Sequence, residues 1–128
     1  MNFVDSIVLL LIAHFCADFL FQNNWMATNK SKSSLPLLCH IAMYTLILLC
    51  FSLFVFTNKI DAWYFAIFNG ITHYGVDYIT SKLSSYMYRN NKMGTNAIPN
   101  INFWTVIGFD QLLHTVILIY SLSWFLNY

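Results

Sequence analysis

Four long stretches of predominantly apolar residues constrain this chain more than any other feature of its sequence. They cover residues 3–22, 35–56, 62–84 and 103–126. Each is close to the roughly 20 residues that an α-helix needs to cross a bilayer. Only 9% of the 128 residues are charged, whereas soluble domains carry about 25%. The sequence therefore predicts one all-α transmembrane domain.

The segments between these stretches are short, and short connections favour antiparallel neighbours. We therefore expect an antiparallel four-helix transmembrane bundle. The first stretch has no basic start, and Asp5, His14 and Asp18 interrupt it. A cleaved signal peptide has a basic start and an uninterrupted apolar core, so we expect this stretch to remain as a membrane helix.

The basic residues predict an orientation in the cell (inner) membrane. Five of the six flank one side of the predicted spans: Lys30, Lys32, Lys82, Arg89 and Lys92. Because basic loops stay in the cytoplasm, we expect the first and third loops there and both termini outside. A net charge of +1 without a basic cluster argues against nucleic-acid binding.

Six ionisable residues lie inside the apolar stretches as three pairs spaced four apart: His14/Asp18, His73/Asp77 and Asp110/His114. Such residues are costly in a membrane and are functional candidates by default. Residues four apart share one helix face. In the last pair Asp110 precedes His114, whereas His precedes Asp in the other two pairs. The helix of the last pair also runs in the opposite direction to the helices of the first two. The first two pairs therefore place Asp at roughly 6 Å and His at roughly 12 Å from the cytoplasmic end, and the third pair has the same order at a somewhat greater depth.

Other polar residues extend the same faces. Gln22, Asn69 and Ser81 continue them, Gln111 lies beside the last pair, and His40 with Tyr44 faces inward from the second helix. The sequence predicts that His40 joins the six paired residues in one buried cluster. No lysine or arginine is expected at this depth, so the carboxylates need another partner.

Three interpretations of the cluster stay open. One or two divalent cations could be held by His14, Asp18, His73, Asp77, Asp110 and His114. Mixed His/Asp ligation suits Zn²⁺ first, with Fe²⁺ or Mn²⁺ as alternatives. Each aspartate could instead pair with the histidine of its own helix, or the cluster could form a proton or ion pathway. The three cysteines, Cys16, Cys39 and Cys50, are interpreted as reduced, buried packing residues.

Four short motifs carry this pattern: H-x-x-x-D-F-x-x-Q, a histidine that opens the second helix, H-x-x-x-D-Y, and D-Q-x-x-H. Their residues are His14, Asp18, Phe19 and Gln22; His40; His73, Asp77 and Tyr78; and Asp110, Gln111 and His114. In these motifs the chain resembles the DUF3307 family of small bacterial and phage membrane proteins over most of its length. The resemblance implies an integral membrane protein and no particular activity. The pattern is also similar to that of membrane-bound metal-dependent hydrolases.

The leading functional hypothesis is a metal-dependent hydrolase, with Asp110 or His40 as general base. Its expected partners are membrane lipids, with a lipid, amide or phosphoester substrate near the headgroups. The loop from Arg89 to Ile101, with Gly94 and Pro99, is the expected lid. The alternatives are an ion- or proton-conducting or oligomerising membrane effector, which would act as a homo-oligomer, and a non-catalytic membrane scaffold.

Overall fold

A computed structural model describes residues 2–94 and 99–127, and it is 84% helical with no strand among them. The all-α class is confirmed. The helical segments are α1 (Phe3–Phe15), a π-helical segment (Cys16–Leu20), α2 (Asn24–Asn29), α3 (Ser34–Val55), α4 (Lys59–Arg89) and α5 (Ile101–Leu126). Because these segments outnumber the four predicted helices, a simple four-helix bundle is not confirmed.

Three stretches of the described chain are long and apolar enough to cross a membrane: Phe3–Leu20, Ser34–Val55 and Ile101–Leu126. The predicted third span, residues 62–84, lies within α4 and is not among them. This helix is long, but it carries Asn69, His73 and Asp77 on its buried face, and these residues lower its mean hydropathy. Length and composition therefore support three of the four predicted spans.

Asparagine side chains fix the starts of the helices. The Asn2 carboxamide accepts from the backbone N–H of Asp5 at 2.8 Å, and Asn58 accepts from Ile60 at 3.0 Å. Asn100 does the same at the start of α5. A side-chain acceptor at this position satisfies one of the free N–H groups of the first turn, so local sequence sets where these helices begin.

The helices α3 and α4 run antiparallel. His40 of α3 contacts His73 of α4, and twelve residues later in α3 the Ser52 hydroxyl donates to the Ala62 carbonyl at 3.0 Å. Residue numbers therefore rise along α3 as they fall along α4. At the crossing between these contacts Gly70 packs directly on the Thr45 side chain, which lets the two backbones approach closely.

The helices α4 and α5 are also antiparallel. Thr80 contacts Asp110, and eleven residues earlier in α4 the amide of Asn69 meets Ser121 at 3.1 Å. Both α3 and α5 therefore flank α4 along most of its length. This arrangement places the polar face of α4 at the centre of the fold.

The interior has an apolar half and a polar half. The apolar half is built from fully buried side chains, including Leu10, Leu48, Phe65, Leu118 and Leu122. The outer surface is also apolar: large side chains at least half exposed occur on all four long helices, including Ile12, Phe54, Ile71 and Tyr120. Soluble monomers rarely expose such continuous apolar surface.

All three cysteines are free, as predicted. Their predicted burial is wrong: Cys16 and Cys39 are half-buried and Cys50 is exposed. An apolar stretch does not show which of its side chains face outward, and the outward faces of these helices are not covered by protein.

The predicted lid, from Arg89 to Ile101, falls partly on residues 95–98, which lie outside the described residues. On either side of this gap Gly94 and Pro99 form a single antiparallel bridge. Gly94 has a φ of 80°, a conformation that glycine adopts without steric cost. The described ends of the loop therefore lie side by side.

Candidate metal centre

Two histidines and two aspartates from three helical segments converge in the interior. Asp18 lies on the π-helical segment, His40 on α3, and His73 and Asp77 on α4, with exposed fractions between 0% and 4%. The two imidazole Nε2 atoms face each other at 3.1 Å. Asp18 Oδ1 lies 3.1 and 3.4 Å from them, and Asp77 Oδ2 lies 3.4 and 3.7 Å from them.

Each of these five separations is close to that between two ligands of a tetrahedral metal ion, and Asp18, His40 and His73 form one group whose ligand atoms all lie within 4.8 Å of one another. Zinc bonds to imidazole nitrogen and carboxylate oxygen are about 2.0–2.1 Å long, so the edges of such a tetrahedron are about 3.3–3.4 Å. The observed distances run from 3.1 to 3.7 Å. The chemistry of the donor set, two imidazoles and two carboxylates, suits the same ions.

The two imidazoles are aligned for a hydrogen bond between their Nε2 atoms, whereas the contacts of the carboxylates with them are close but are not hydrogen bonds. Asp18 Oδ1 lies 3.1 Å from His40 Nε2, yet it makes no hydrogen bond within the described residues. The Nδ1 atoms of His40 and His73 also have no partner there. Hydrogen bonds need donors aimed along the acceptor direction, whereas a cation between the groups needs only converging lone pairs. The cluster therefore combines one hydrogen bond between imidazoles with an unpartnered carboxylate oxygen, and its groups of ligand atoms could hold a metal ion.

Lys30 reaches this cluster from the segment that follows α2. Its Nζ lies 2.9 Å from Asp77 Oδ2, and its side chain is 21% exposed while that of Asp77 is 1% exposed. The neighbouring Ser31 hydroxyl accepts from Ser85 of α4 at 2.7 Å. The segment is therefore held against α4, with its lysine directed inward.

A second group of polar side chains lies on the α5 side of the cluster. His114 Nε2 is 3.8 Å from Asp77 Oδ1, and His114 Nδ1 is 3.5 Å from Asp110 Oδ2. The Thr80 hydroxyl donates to Asp110 Oδ1. One ligand atom each of Asp18, Asp110 and His114 lie within 4.8 Å of one another. The potential ligands thus continue from the first group toward α5.

A chain of hydrogen bonds orients the carboxylates. The Tyr44 hydroxyl donates to His14 Nδ1 at 3.3 Å, and His14 Nε2–H donates to Gln111 Oε1 at 3.2 Å. The Gln111 amide then donates to Asp18 Oδ2 at 2.7 Å and to Asp110 Oδ2 at 3.2 Å. With its proton on Nε2, His14 gives each group in this chain a hydrogen-bond partner. Gln111 therefore holds two carboxylates from two helical segments in fixed positions.

Stacked rings fix the orientation of His73. Tyr44 stacks on it with ring centroids 3.8 Å apart and planes at 20°. His114 lies against it at 4.0 Å and 31°. A ligand whose rotamer is locked by its neighbours needs little reorganisation when it binds, so this packing preorganises the site.

The π-helical segment explains why Asp18 faces neighbouring helices. Within it the Phe21 N–H donates to the Cys16 carbonyl at 2.9 Å, five residues back. This wider turn changes the direction of Asp18 relative to His14, and the Gln22 amide donates to the Asp18 carbonyl at 3.0 Å. Such π-turns occur frequently at functional sites.

The family model for a protein of unknown function, DUF3307, matches residues 6–127. The chain belongs to the DUF3307 family. No curated protein and no solved structure matches it. The resemblance seen in the motifs of this DUF3307 protein is therefore confirmed.

The structure of this DUF3307 protein brings most of the predicted site residues together. Six occur in groups whose ligand atoms lie within 4.8 Å of one another: Asp18, His40, His73, Asp77, Asp110 and His114. His14 belongs to no such group, and its two ring nitrogens meet Tyr44 and Gln111 instead. The ligand and catalytic roles of all seven residues stay predictions.

Pairing of each aspartate with the histidine of its own helix occurs only in part. His73 and Asp77 lie 3.7 Å apart and Asp110 and His114 lie 3.5 Å apart. Asp18 instead approaches His40 and His73, as described above. Periodicity places side chains on a face, but it does not say which neighbouring helix presents the closest partner.

One feature of the DUF3307 site differs from the sequence-based expectation. The prediction that no lysine or arginine lies at the depth of the carboxylates is wrong, because Lys30 contacts Asp77. The Thr80 hydroxyl lies within hydrogen-bond distance of the Val76 carbonyl and also contacts Asp110. The signal that could have found Lys30 is charge balance, since three buried carboxylates require nearby cations.

A cavity of about 210 Å³ adjoins the cluster. Its polar lining includes Asp18, Asp110, Gln111 and Lys30, and its apolar lining includes Phe19, Val106 and Ile107. It lies between the π-helical segment, α4 and α5. Asp18 and Asp110 therefore border open space, whereas His40, His73 and His114 are enclosed by protein.

Proposed function

We propose that this protein binds a divalent cation through Asp18, His40, His73 and Asp77 and hydrolyses a substrate at the cytoplasmic headgroup layer of the inner membrane. One observation carries the proposal: buried ligand atoms of two histidines and two aspartates converge with five separations of 3.1–3.7 Å, and Asp18 Oδ1 among them makes no hydrogen bond within the described residues. Zn²⁺ is the first candidate, with Fe²⁺ or Mn²⁺ as alternatives.

The charges around the site support a cation of charge two. Asp18, Asp77 and Asp110 contribute three negative charges, and Lys30 contributes one positive charge. With neutral histidines the cluster has a net charge of −2, which is costly in a low-dielectric interior. One divalent cation brings the cluster to neutrality.

The proposed transmembrane arrangement rests on the outer surface of the fold. Three stretches have the length and composition of membrane spans, and α4 presents apolar side chains outward while its polar face is buried. We propose that α4 crosses the bilayer with them, so that α1 with its π-helical extension, α3, α4 and α5 form an antiparallel transmembrane bundle. The basic residues then place both termini outside the cytoplasm.

In the proposed chemistry the enclosed residues hold the cation and a residue that borders the cavity acts as general base. A divalent cation at such a site activates a water molecule and polarises the scissile bond. Asp110 borders the cavity, and Thr80 and Gln111 orient its carboxylate, so we assign it the role of general base. His40 was the other candidate for this role, but its enclosed Nε2 favours ligation.

Hydrolysis by the full chain in mixed micelles tests this proposal. The protein is stripped with a chelator, reloaded with Zn²⁺ or Mn²⁺, and assayed on phospholipids, lipid amides and soluble phosphoesters. We expect metal-dependent turnover that Asp110→Asn lowers by about 100-fold or more at unchanged metal content. Thr105→Ala, an exposed change on the same helix, is the matched control. Equal rates for reloaded wild type and Asp110→Asn would contradict the proposal.

A further inference from the structure

We propose that the cavity beside the cluster binds a membrane phospholipid, which enters sideways through a gap between the π-helical segment and α5. The phosphate of this lipid lies near Lys30, Ser81 and Ser84, and one acyl chain lies between Phe19 and Val106. The inference rests on the proposed function and names its substrate class: a lipid taken from the bilayer rather than a soluble ester.

The gap lies between the π-helical segment and the first turns of α5. Among the described residues, α5 packs against α1 and α4, whereas the backbones of the π-helical segment and α2 do not reach it. The hydrogen bond from Gln111 to Asp18 spans the two sides. Nearer the start of α5, the cavity is lined by Phe19 on one side and by Val106 and Ile107 on the other. Phe19 is 47% exposed, so this side of the cavity meets the outer surface of the fold.

The depth of the gap matches the level at which acyl chains leave the headgroups. Trp104 of α5 is exposed, and tryptophans on membrane helices lie at the headgroup level. Val106 and Ile107 follow it by two and three residues, so they lie roughly 3–5 Å deeper, and Asp110 lies roughly 9 Å deeper. The headgroup layer on each side of a bilayer is about 5–8 Å thick. The cavity therefore extends from the headgroups to the beginning of the acyl chains.

One wall of the cavity carries hydrogen-bond donors. An ammonium group has three N–H donors, and within the described residues the Lys30 ammonium donates to a single acceptor, Asp77 Oδ2. The Ser81 hydroxyl lies 3.5 Å from the Tyr78 carbonyl, which is a long hydrogen bond, and Ser84 lines the same wall. Ammonium and hydroxyl donors bind phosphate oxygens. This wall is therefore suited to the phosphate of a lipid headgroup.

The lining as a whole matches an amphiphile. The cation of the proposed function brings the charge of the cluster to zero, so Asp18 and Asp110 do not exclude a phosphate from the cavity. A soluble ester leaves Phe19, Val106 and Ile107 facing water, whereas an acyl chain covers them, and burial of apolar surface is favourable. The volume of about 210 Å³ holds only part of a lipid, so the remainder of the lipid stays in the bilayer.

Photocrosslinking of the full chain in detergent tests the inference with phosphatidylglycerol as probe. The photoreactive residue p-benzoylphenylalanine replaces Phe19, which lines the cavity, or Phe109 of α5, which does not. The two positions are matched controls because their exposed fractions are 47% and 54%. Each variant is loaded with Zn²⁺ and titrated with the lipid, and the adducts are counted by mass spectrometry. We expect labelling at position 19 to saturate at one lipid per chain, and labelling at position 109 to rise without saturation.

Competitors show which parts of the lipid are recognised. An excess of diacylglycerol, which lacks the phosphate, and an excess of inorganic phosphate, which lacks the acyl chains, should both leave the labelling at position 19 unchanged. Phosphatidylglycerol with a different chain length should displace the probe. Lys30→Met should weaken the saturable labelling by about 10-fold, and Lys32→Met should leave it unchanged. The competitors decide the matter even where Lys30→Met does not fold.

The outcomes separate this inference from the proposed function. Equal labelling without saturation at both positions overturns the lateral site. Displacement by diacylglycerol overturns the recognition of the phosphate, and displacement by inorganic phosphate overturns the need for an acyl chain. Saturable labelling of a protein that hydrolyses no substrate contradicts the proposed function alone. Metal-dependent hydrolysis of soluble phosphoesters without saturable labelling contradicts this inference alone.

Discussion

The Lys30 ammonium lies 2.9 Å from Asp77 Oδ2, so a lysine from the connection between α2 and α3 neutralises a carboxylate that is 1% exposed. The contact joins residues 47 positions apart. It requires the connection to fold back onto α4, where Ser31 and Ser85 are hydrogen-bonded. Lys30 therefore acts both as a counter-ion and as a tie between a loop and a helix.

Replacing Lys30 tests its role as a counter-ion. We expect Lys30→Met to destabilise the metal-free protein by about 1–3 kcal/mol, because the Asp77 charge loses its buried partner. The same change leaves the cluster with a net charge of −3. Added Zn²⁺ should therefore raise the stability of Lys30→Met by more than it raises the stability of the wild type. Thermal unfolding in detergent with and without Zn²⁺ measures both effects.

Lys32→Met is the matched control, because Lys32 is two residues away and exposed. It should behave like wild type in both conditions. If Lys30→Met and Lys32→Met unfold at the same temperature, the Lys30–Asp77 contact contributes nothing to the fold.

Replacing Gln111 tests the hydrogen bonds that hold two carboxylates. Gln111→Leu removes the donors to Asp18 and Asp110, and we expect a loss of about 1–3 kcal/mol. Gln111→Glu adds a fourth carboxylate and should be less stable than Gln111→Leu without metal. Thermal unfolding in detergent measures the order of stability of the two variants. Added Zn²⁺ should reduce the difference in stability between them. The opposite order without metal would argue against the charge balance.

Replacing Gly70 tests the close approach of α3 and α4. A Cβ at this position overlaps the Thr45 hydroxyl, so we expect Gly70→Ala to cost about 1–3 kcal/mol. Nothing lies within 4 Å of a Cβ at Gly75 or Gly108. Alanine there should be neutral or stabilising by up to about 1 kcal/mol.

The double variant Gly70→Ala/Thr45→Ala removes the overlapping hydroxyl. It should regain part of the stability that Gly70→Ala loses in the same unfolding measurement. No recovery would show that the helix contact is not limited by Thr45.

Replacing Tyr44 separates its two contacts. Tyr44→Phe keeps the stack on His73 and removes the hydroxyl bonded to His14, so cation affinity should stay close to that of wild type. Tyr44→Leu removes the stack as well and should weaken cation binding by roughly 10–100-fold. Isothermal titration with Zn²⁺ compares the two. Equal affinities in both variants would mean that the stack does not orient His73.

Sequence reasoning predicted the helical class and the residues of the polar cluster. The spacing of four in His73/Asp77 and Asp110/His114 predicts a shared helix face, and the faces do meet. Apolar length predicted the positions of α3 and α5. Apolar length alone does not decide whether α4 is a membrane span. The polar residues Asn69 and His73 lower its mean hydropathy although they are buried.

The remaining details depend on three-dimensional packing. The apolar pattern of the first span predicts a regular helix and carries no signal for the π-helical turn that contains Asp18. The inward course of Lys30 depends on contacts made far along the chain, including that of Ser31 with Ser85. Neither the Lys30–Asp77 contact nor the Ser31–Ser85 contact has a local sequence signal, because hydrophobic periodicity does not encode the conformation of a loop.

The metal content of the purified protein tests the central claim most directly. The full chain is extracted in detergent, dialysed without chelator, and analysed by inductively coupled plasma mass spectrometry beside His40→Ala and His73→Ala. We predict one divalent transition-metal ion per chain in the wild type and loss of that ion in both variants. Wild-type protein that holds no more metal than His73→Ala would contradict the claim that these buried histidines and aspartates form a metal site.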